Sequence, residues 1–220
     1  MPLPTPEFVP DLDIERRALG VLKEYERITT RPTTLPVRVD DLVERVLDLE
    51  IIWLDIPENP GDIVLARIVP NLEGRPVVQM NEGRREHFEE YFGTEAFSLG
   101  HEAGHWVLQY DRGRSEQLGF AELLGEDVTP ILCRRLDDRS RREFQAEKFA
   151  AYLLMPERLI REAVRGEDLT RWNTISHLAY ACGVSKRALI RRLVELRLVV
   201  LTQDNRLELP TALRGASRLL

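Results

Sequence analysis

A chain of 220 residues, 43% hydrophobic and 31% charged, reads as a globular protein with room for one good-sized domain, or a domain with a small appendage. Its net charge of −6 excludes an overall basic field that would recruit nucleic acid or anionic lipid. Two cysteines, Cys133 and Cys182, are too few for a disulfide framework and wrongly spaced for a zinc knuckle, and read as reduced, partly buried thiols.

The opening "MPLPTPEFVPDLDIERR" carries prolines and acids where a secretory signal needs a basic flank and an apolar run. The longest apolar run, "FAAYLLM" (149–155), is too short to span a bilayer, so a cytoplasmic protein with no membrane segment is expected. Residues 13–28 show helical spacing through Ile14, Ala18, Val21, Leu22 and Tyr25, and "TTRPTTLPVRV" ends that helix. Asp40 can cap a second helix whose buried stripe is Leu42, Val43, Val46, Leu47 and Leu49. The period then changes. Three runs rich in β-branched residues, 50–56, 62–69 and 75–81, are separated by "PENPG" and "PNLEG", which predicts an antiparallel sheet of about three strands.

From 92 to 110 the chain is apolar nearly all round, as in a helix buried in a core. Residues 111–139 are polar and irregular apart from a short amphipathic piece at Phe120 to Leu124, and a connection of that length is more often functional than idle. A second strong helix is predicted at 141–155, stopped by Pro156, with a short helix within 157–170. Two helices around Gly183 follow at 174–197, and 198–209 reads as a hairpin turning at Asp204–Asn205. Residues 171–200 hold six basic residues against one acid, Glu195.

Within "FSLGHEAGHWVLQY" (97–110), His101 and His105 lie four apart and project from one helix face, where two ring nitrogens can meet a single ion. Glu102 lies about 100° round the helix from His101, near the ion but offset from it, and can act as general base toward an activated water. Gly100 and Gly104 cost roughly 1 kcal/mol each against alanine in a helix interior and leave space for a close approach of another backbone or a substrate. A catalytic zinc site wants a third protein ligand and an open position. His87, His177 and the acids Glu143 and Glu147 are all candidates. Glu143 has a competing role, because "SRRE" is a capping box with Ser140 as N-cap, and one carboxylate can hardly serve both.

Together, "HEAGH" (101–105) and "EFQAEKFAAYLLMP" (143–156) resemble the paired motifs of the ImmA/IrrE family of zinc metallopeptidases, the second motif matching at every fixed position. The resemblance runs over roughly residues 13–200. It implies an α+β, zincin-like fold, mostly helical with a small antiparallel sheet, and Glu143 as third ligand beside His101 and His105. It also implies Glu102 as catalytic base and Zn2+ as cofactor, one per chain, although manganese can occupy two imidazoles and a carboxylate. By the same resemblance the substrate is a protein, a repressor of the helix-turn-helix type, cleaved in a stress, prophage or toxin–antitoxin-like switch. The long separation of His105 from Glu143 departs from the family pattern and points to the 111–139 loop as a shaper of substrate access. The expected organisation is a loose arm at 1–12, a metallopeptidase domain at 13–170, a helix-turn-helix-like unit with hairpin at 171–210, and a tail at 211–220. Peptidases of this kind usually add a second oxyanion donor, and Tyr91, Tyr110, Tyr152 and His177 are the candidates among which the sequence does not choose.

The rival reading is a DNA-binding regulator with a structural or incidental metal. In "HLAYACGVSKRALIRRLVEL" (177–196), Ala179, Gly183, Val184 and Leu189 stand where a helix-turn-helix needs them, and Ser185 can cap the second helix. Lys186, Arg187, Arg191 and Arg192 could then meet phosphates or dock a protein partner. The favoured expectation is that this unit packs on the peptidase and wears a solvated basic face.

Overall fold

The computed structural model describes residues 9–59, 61, 63–69, 75–109, 131–132 and 141–210. Expectations for the arm up to residue 8, Tyr110, the piece at Phe120 to Leu124, Cys133, the Ser140 cap and the tail 211–220 lie outside the described residues.

Helix α1 (Asp11–Thr29) starts earlier than the sequence pattern predicted and takes in Asp11 and Leu12, which had been placed in the arm. Asp11 and Asp13 in its first turn favour the positive helix end, and a left-handed Thr30 (φ 55) terminates it. Its buried stripe is Ile14, Ala18, Val21 and Leu22. Helix α2 (Val39–Arg45) buries Val39, Leu42 and Val43.

The sheet keeps the antiparallel expectation for two of its pairings and corrects it for the third. Strands β1 (Glu50–Leu54), β2 (Ala66–Val69), β3 (Val77–Asn81) and β4 (Ile131–Leu132) lie in the order β1-β3-β2-β4. Strand β1 runs parallel to β3, with Glu50 opposite Val77, while β2 is antiparallel to both β3 and β4. The connection from β1 to β2 crosses the end of β3 instead of closing a hairpin. Asn81, only 2% exposed, holds that crossing in place. Its Oδ1 accepts from Ile56 N at 3.1 Å, and its Nδ2 donates to Val64 O at 2.7 Å and Glu58 Oε1 at 3.2 Å. Strand β4 emerges from the stretch expected to be irregular; two residues are too few to show a period.

A 3-10 turn (Glu82–Arg84) and helix α3 (Arg85–Glu90) lead into α4 (Thr94–Gln109). Helix α5 (Arg141–Leu154) runs antiparallel to it: Gly100 faces Ala150 and Gly104 faces Ala146. A methyl placed on Gly104 would lie 3.0 Å from both the Cα and the carbonyl oxygen of Ala146, so the space left by glycine admits a neighbouring backbone. Helix α6 (Glu157–Ala163) follows Pro156. Helices α7 (Trp172–Cys182) and α8 (Lys186–Glu195) join through a left-handed Gly183 (φ 69), and Ser185 Oγ caps α8 by accepting from Ala188 N at 3.2 Å. Strands β5 (Val200–Leu201) and β6 (Leu207–Glu208) form the expected hairpin, with Asn205 at φ 56 in its turn. The Cys182 thiol is buried in this unit, and burial pushes its pKa up to about 11, which makes it unreactive.

One hydrophobic core serves both parts of the expected two-part organisation. Ile14, Met80, Leu99, Phe149 and Leu153 belong to the same buried cluster as Ile175, Leu189, Leu193 and Leu207. A buried polar cluster fastens the parts further. Arg192, 2% exposed, donates to Met155 O at 3.0 Å, Glu195 Oε2 at 3.0 Å and Glu15 Oε1 at 3.1 Å. Lys148 and the Tyr152 hydroxyl both donate to Glu195 Oε1, at 2.5 and 2.8 Å. Helices α1, α5 and α8 are thereby joined at one point. Among the described residues no helix is long and apolar enough to cross a membrane.

Two predictions follow from this packing. In Gly104→Ala the new methyl meets backbone that cannot step aside, a cost of about 1–3 kcal/mol that outweighs the roughly 1 kcal/mol of helix propensity gained. Gly100→Ala, where the nearest atom is the Ala150 methyl at 3.3 Å, should be close to neutral. Urea unfolding of the two variants checks this, and an unweakened Gly104→Ala would mean a wider crossing. The second concerns Glu195. Partial burial pushes its carboxyl up, but hydrogen bonds from Lys148, Tyr152 and Arg192 outweigh this and hold it below its ordinary 4.5. Its contribution is therefore complete above pH 4.5 and lost as pH falls through the depressed value. Glu195→Gln should lower urea midpoints near neutral pH and converge with the parent in acid.

Candidate metal centre

Helix α4 carries His101, Glu102 and His105 on its inward side, and all three are buried, Glu102 with 0% exposure. The glycines of this helix let α5 lie close enough for Glu143, in the first turn of α5, to reach both imidazoles. His101 Nε2 and His105 Nε2 are 2.9 Å apart. Glu143 Oε2 is 3.2 Å from His101 Nε2, and its Oε1 is 3.6 Å from His105 Nε2. One ligand atom from each residue lies within 4.8 Å of the others, and this is the converging group of metal-ligating type among the described residues.

The protonation states suit a cation. Burial drives the His101 pKa down, leaving a neutral imidazole with a lone pair to offer; Glu143 pulls the other way but does not reverse this, and His105 adds to the lowering. Partial burial pushes the Glu143 carboxyl up, yet its hydrogen bonds with His101 and His105 prevail and bring it to about 2. The carboxylate is therefore charged at neutral pH. In a tetrahedral site with bonds of 2.0–2.1 Å the ligand atoms stand about 3.3 Å apart, and the three separations here bracket that length. Two nitrogens and a carboxylate oxygen so placed fit one divalent cation of borderline softness.

The other sequence candidates fall elsewhere. His87 packs against Tyr91 at 4.6 Å between ring centroids, and His177 lies exposed on α7; neither joins the converging group. Glu147, one turn along α5 from Glu143, has Arg191 at 3.8 Å. Tyr152 is turned away toward Glu195, and Tyr91 is half exposed. Of the four basic residues assigned to a docking face, Lys186, Arg187 and Arg191 are exposed. Arg192 is not: it sits three residues after Leu189 on the buried stripe of α8, and its guanidinium is held by Glu15, Glu195 and the Met155 carbonyl. That correction removes Arg192 from any surface role. Lys148 and Glu15, which complete its cluster with Glu195, gave no local signal in the sequence, and Glu195 stood out there only as the one acid of a basic stretch.

Residues 92–194 match the IrrE N-terminal-like domain of peptidase family M78. That stretch contains the whole converging group. Among solved structures, a Mycobacterium tuberculosis transcriptional regulator is similar at 15% identity and a TM-score of 0.45, over 84% of this chain and 52% of that one. The chain thus spans about half the length of that regulator. No curated protein matches the sequence.

Removing either type of donor should empty the site. His101→Ala and Glu143→Ala are each expected to weaken zinc binding by more than ~100-fold, read by competition with a chromogenic chelator. If Glu143→Ala kept one tightly held zinc per chain, the third donor would have to lie elsewhere, with Glu147 next in line.

Proposed function

We propose that the protein is a zinc-dependent endopeptidase that cleaves a protein substrate, a repressor of the helix-turn-helix type, in a stress, prophage or toxin–antitoxin-like switch. It acts in the cytoplasm, where such repressors work. The observation that carries this reading is the convergence of His101, His105 and Glu143 beside a buried Glu102, inside a stretch that matches a peptidase-family model.

His101, His105 and Glu143 would hold the zinc, or manganese in its place. Bound there, the metal would supply Lewis acidity, polarising the scissile carbonyl and lowering the pKa of water toward neutrality. Glu102 takes the proton of the attacking water on its carboxylate and delivers it to the leaving amine. Its place next to His101 on a helix packed against α5 fixes where that proton is held, and its burial keeps bulk solvent from competing for it. Tyr91 and His177 remain the described candidates for a second donor, because the Tyr152 hydroxyl is engaged with Glu195.

Residues 171–210 act in this reading as an appended unit that completes the fold of the 13–170 domain. The shared core and the inward Arg192 support it. The exposed Lys186, Arg187 and Arg191 keep a second reading in play, that of a DNA-binding regulator whose metal is structural.

The test is to mix the purified, zinc-loaded protein with the repressor-like protein encoded beside it. A discrete cut, abolished by chelator, is expected. Glu102→Gln should keep its zinc and lose about 10²–10⁴-fold in rate, because an amide cannot accept the proton. An uncut repressor, together with tight operator binding by this protein that survives chelation, would favour the regulator instead.

A further inference from the structure

We propose that the exposed aromatic strip of Tyr91, Phe92 and Tyr180, flanked by Glu86, Glu89, Glu90 and Glu95, is a docking surface for an arginine-bearing segment of a protein partner. The rings of Phe92 and Tyr180 are stacked, with centroids 5.2 Å apart and planes within 18°. They are nonetheless 50% and 73% exposed, and Tyr91, the residue before Phe92, is 51% exposed with its ring against that of His87. Large aromatics left in contact with water in one place are a recurrent mark of interaction surfaces. The strip is also held rigid. Gly93 (φ 81) presses its backbone against Val184 and Ser185, where an added methyl would come within 2.6–2.8 Å of backbone atoms, so Phe92 has a fixed position relative to Tyr180. A prearranged stack loses little freedom on binding.

Charge selects the occupant. Glu86, Glu89, Glu90 and Glu95 are exposed, and among the described residues none of them forms an ion pair. Of the nearby arginines, Arg84 pairs with Glu58, while Arg85 lies over the Trp53 ring at 3.6 Å and pairs with Glu82, with Glu95 and Glu89 only within its longer electrostatic reach. Lys186 and Arg187, both exposed, follow Ser185, against whose backbone Gly93 lies, and the four acids outnumber these two cations. The four exposed carboxylates disfavour phosphate. A guanidinium instead stacks on an aromatic face and pairs with a carboxylate in one pose, which an ammonium does less well. Phe92 lies just before α4, whose first residue, Thr94, stands roughly 10 Å along the helix axis from His101. The proposal concerns binding and stands whether or not the metal centre cleaves what docks.

Fluorescence anisotropy with the full chain tests it, using a short labelled peptide of alternating arginine and glycine. Its lysine counterpart should bind ~5-fold more weakly, and the double variant Phe92→Ala, Tyr180→Ala should lose ~10-fold or more. Glu89→Gln with Glu90→Gln, at exposed positions that cannot disturb packing, should also weaken binding by several-fold and keeps the test decisive if the aromatic variant is unstable. Unchanged affinity in these variants overturns the proposal. So does preferential binding of a short oligothymidylate, which would make the strip a base-stacking platform for single-stranded nucleic acid.

Discussion

Two helices approach only as closely as the side chains between them permit, and where α4 and α5 come nearest those side chains are the smallest there are. Gly100 and Gly104 on one face Ala150 and Ala146 on the other. This near-contact of backbones determines the rest of the site. It brings the first turn of α5 against the imidazoles of α4, so that Glu143 stands 3.2 Å from His101. Larger residues at these four positions would set the helices farther apart, and the three donors would no longer share one centre. The helical propensity given up at two glycines is the local cost of that arrangement.

The polar cluster around Arg192 works at the other edge of α5. Lys148 and Tyr152 point from α5 to Glu195 on α8, and Arg192 bridges from α8 to Glu15 on α1. Charges this well enclosed need nearly complete pairing, and Arg192 has three partners. The same helix therefore offers Glu143 to the candidate metal centre and fastens the C-terminal helices to the body of the fold.

Local periodicity made much of this legible. The spacing of His101, Glu102 and His105 fixed a shared helix face, and the apolar stripes located α1, α4 and α5 to within a few residues. Glu143 was different. Spacing left it open among four candidates, because its partnership depends on how two distant helices pack, and only the likeness of the paired motifs singled it out. The strand order was hidden for a related reason: "PENPG" marks a turn, but a turn does not say whether the next strand returns beside the last or passes over its neighbour. That choice is made by Asn81, which ties the connection across β3. Arg192 misled because a run of basic residues looks like surface, although its register three after Leu189 placed it inside.

The shared core has a further consequence for the chain's history. Leu189, Leu193 and Leu207 fill spaces against the same interior as Phe149 and Leu153, and Arg192 answers carboxylates on α1 and α8 itself. The C-terminal helices are thus no interchangeable cassette. A recombination event that exchanged them would have to import matching partners on α1 and α5 at once, so these segments are expected to diversify in step, with novelty confined to their outward faces.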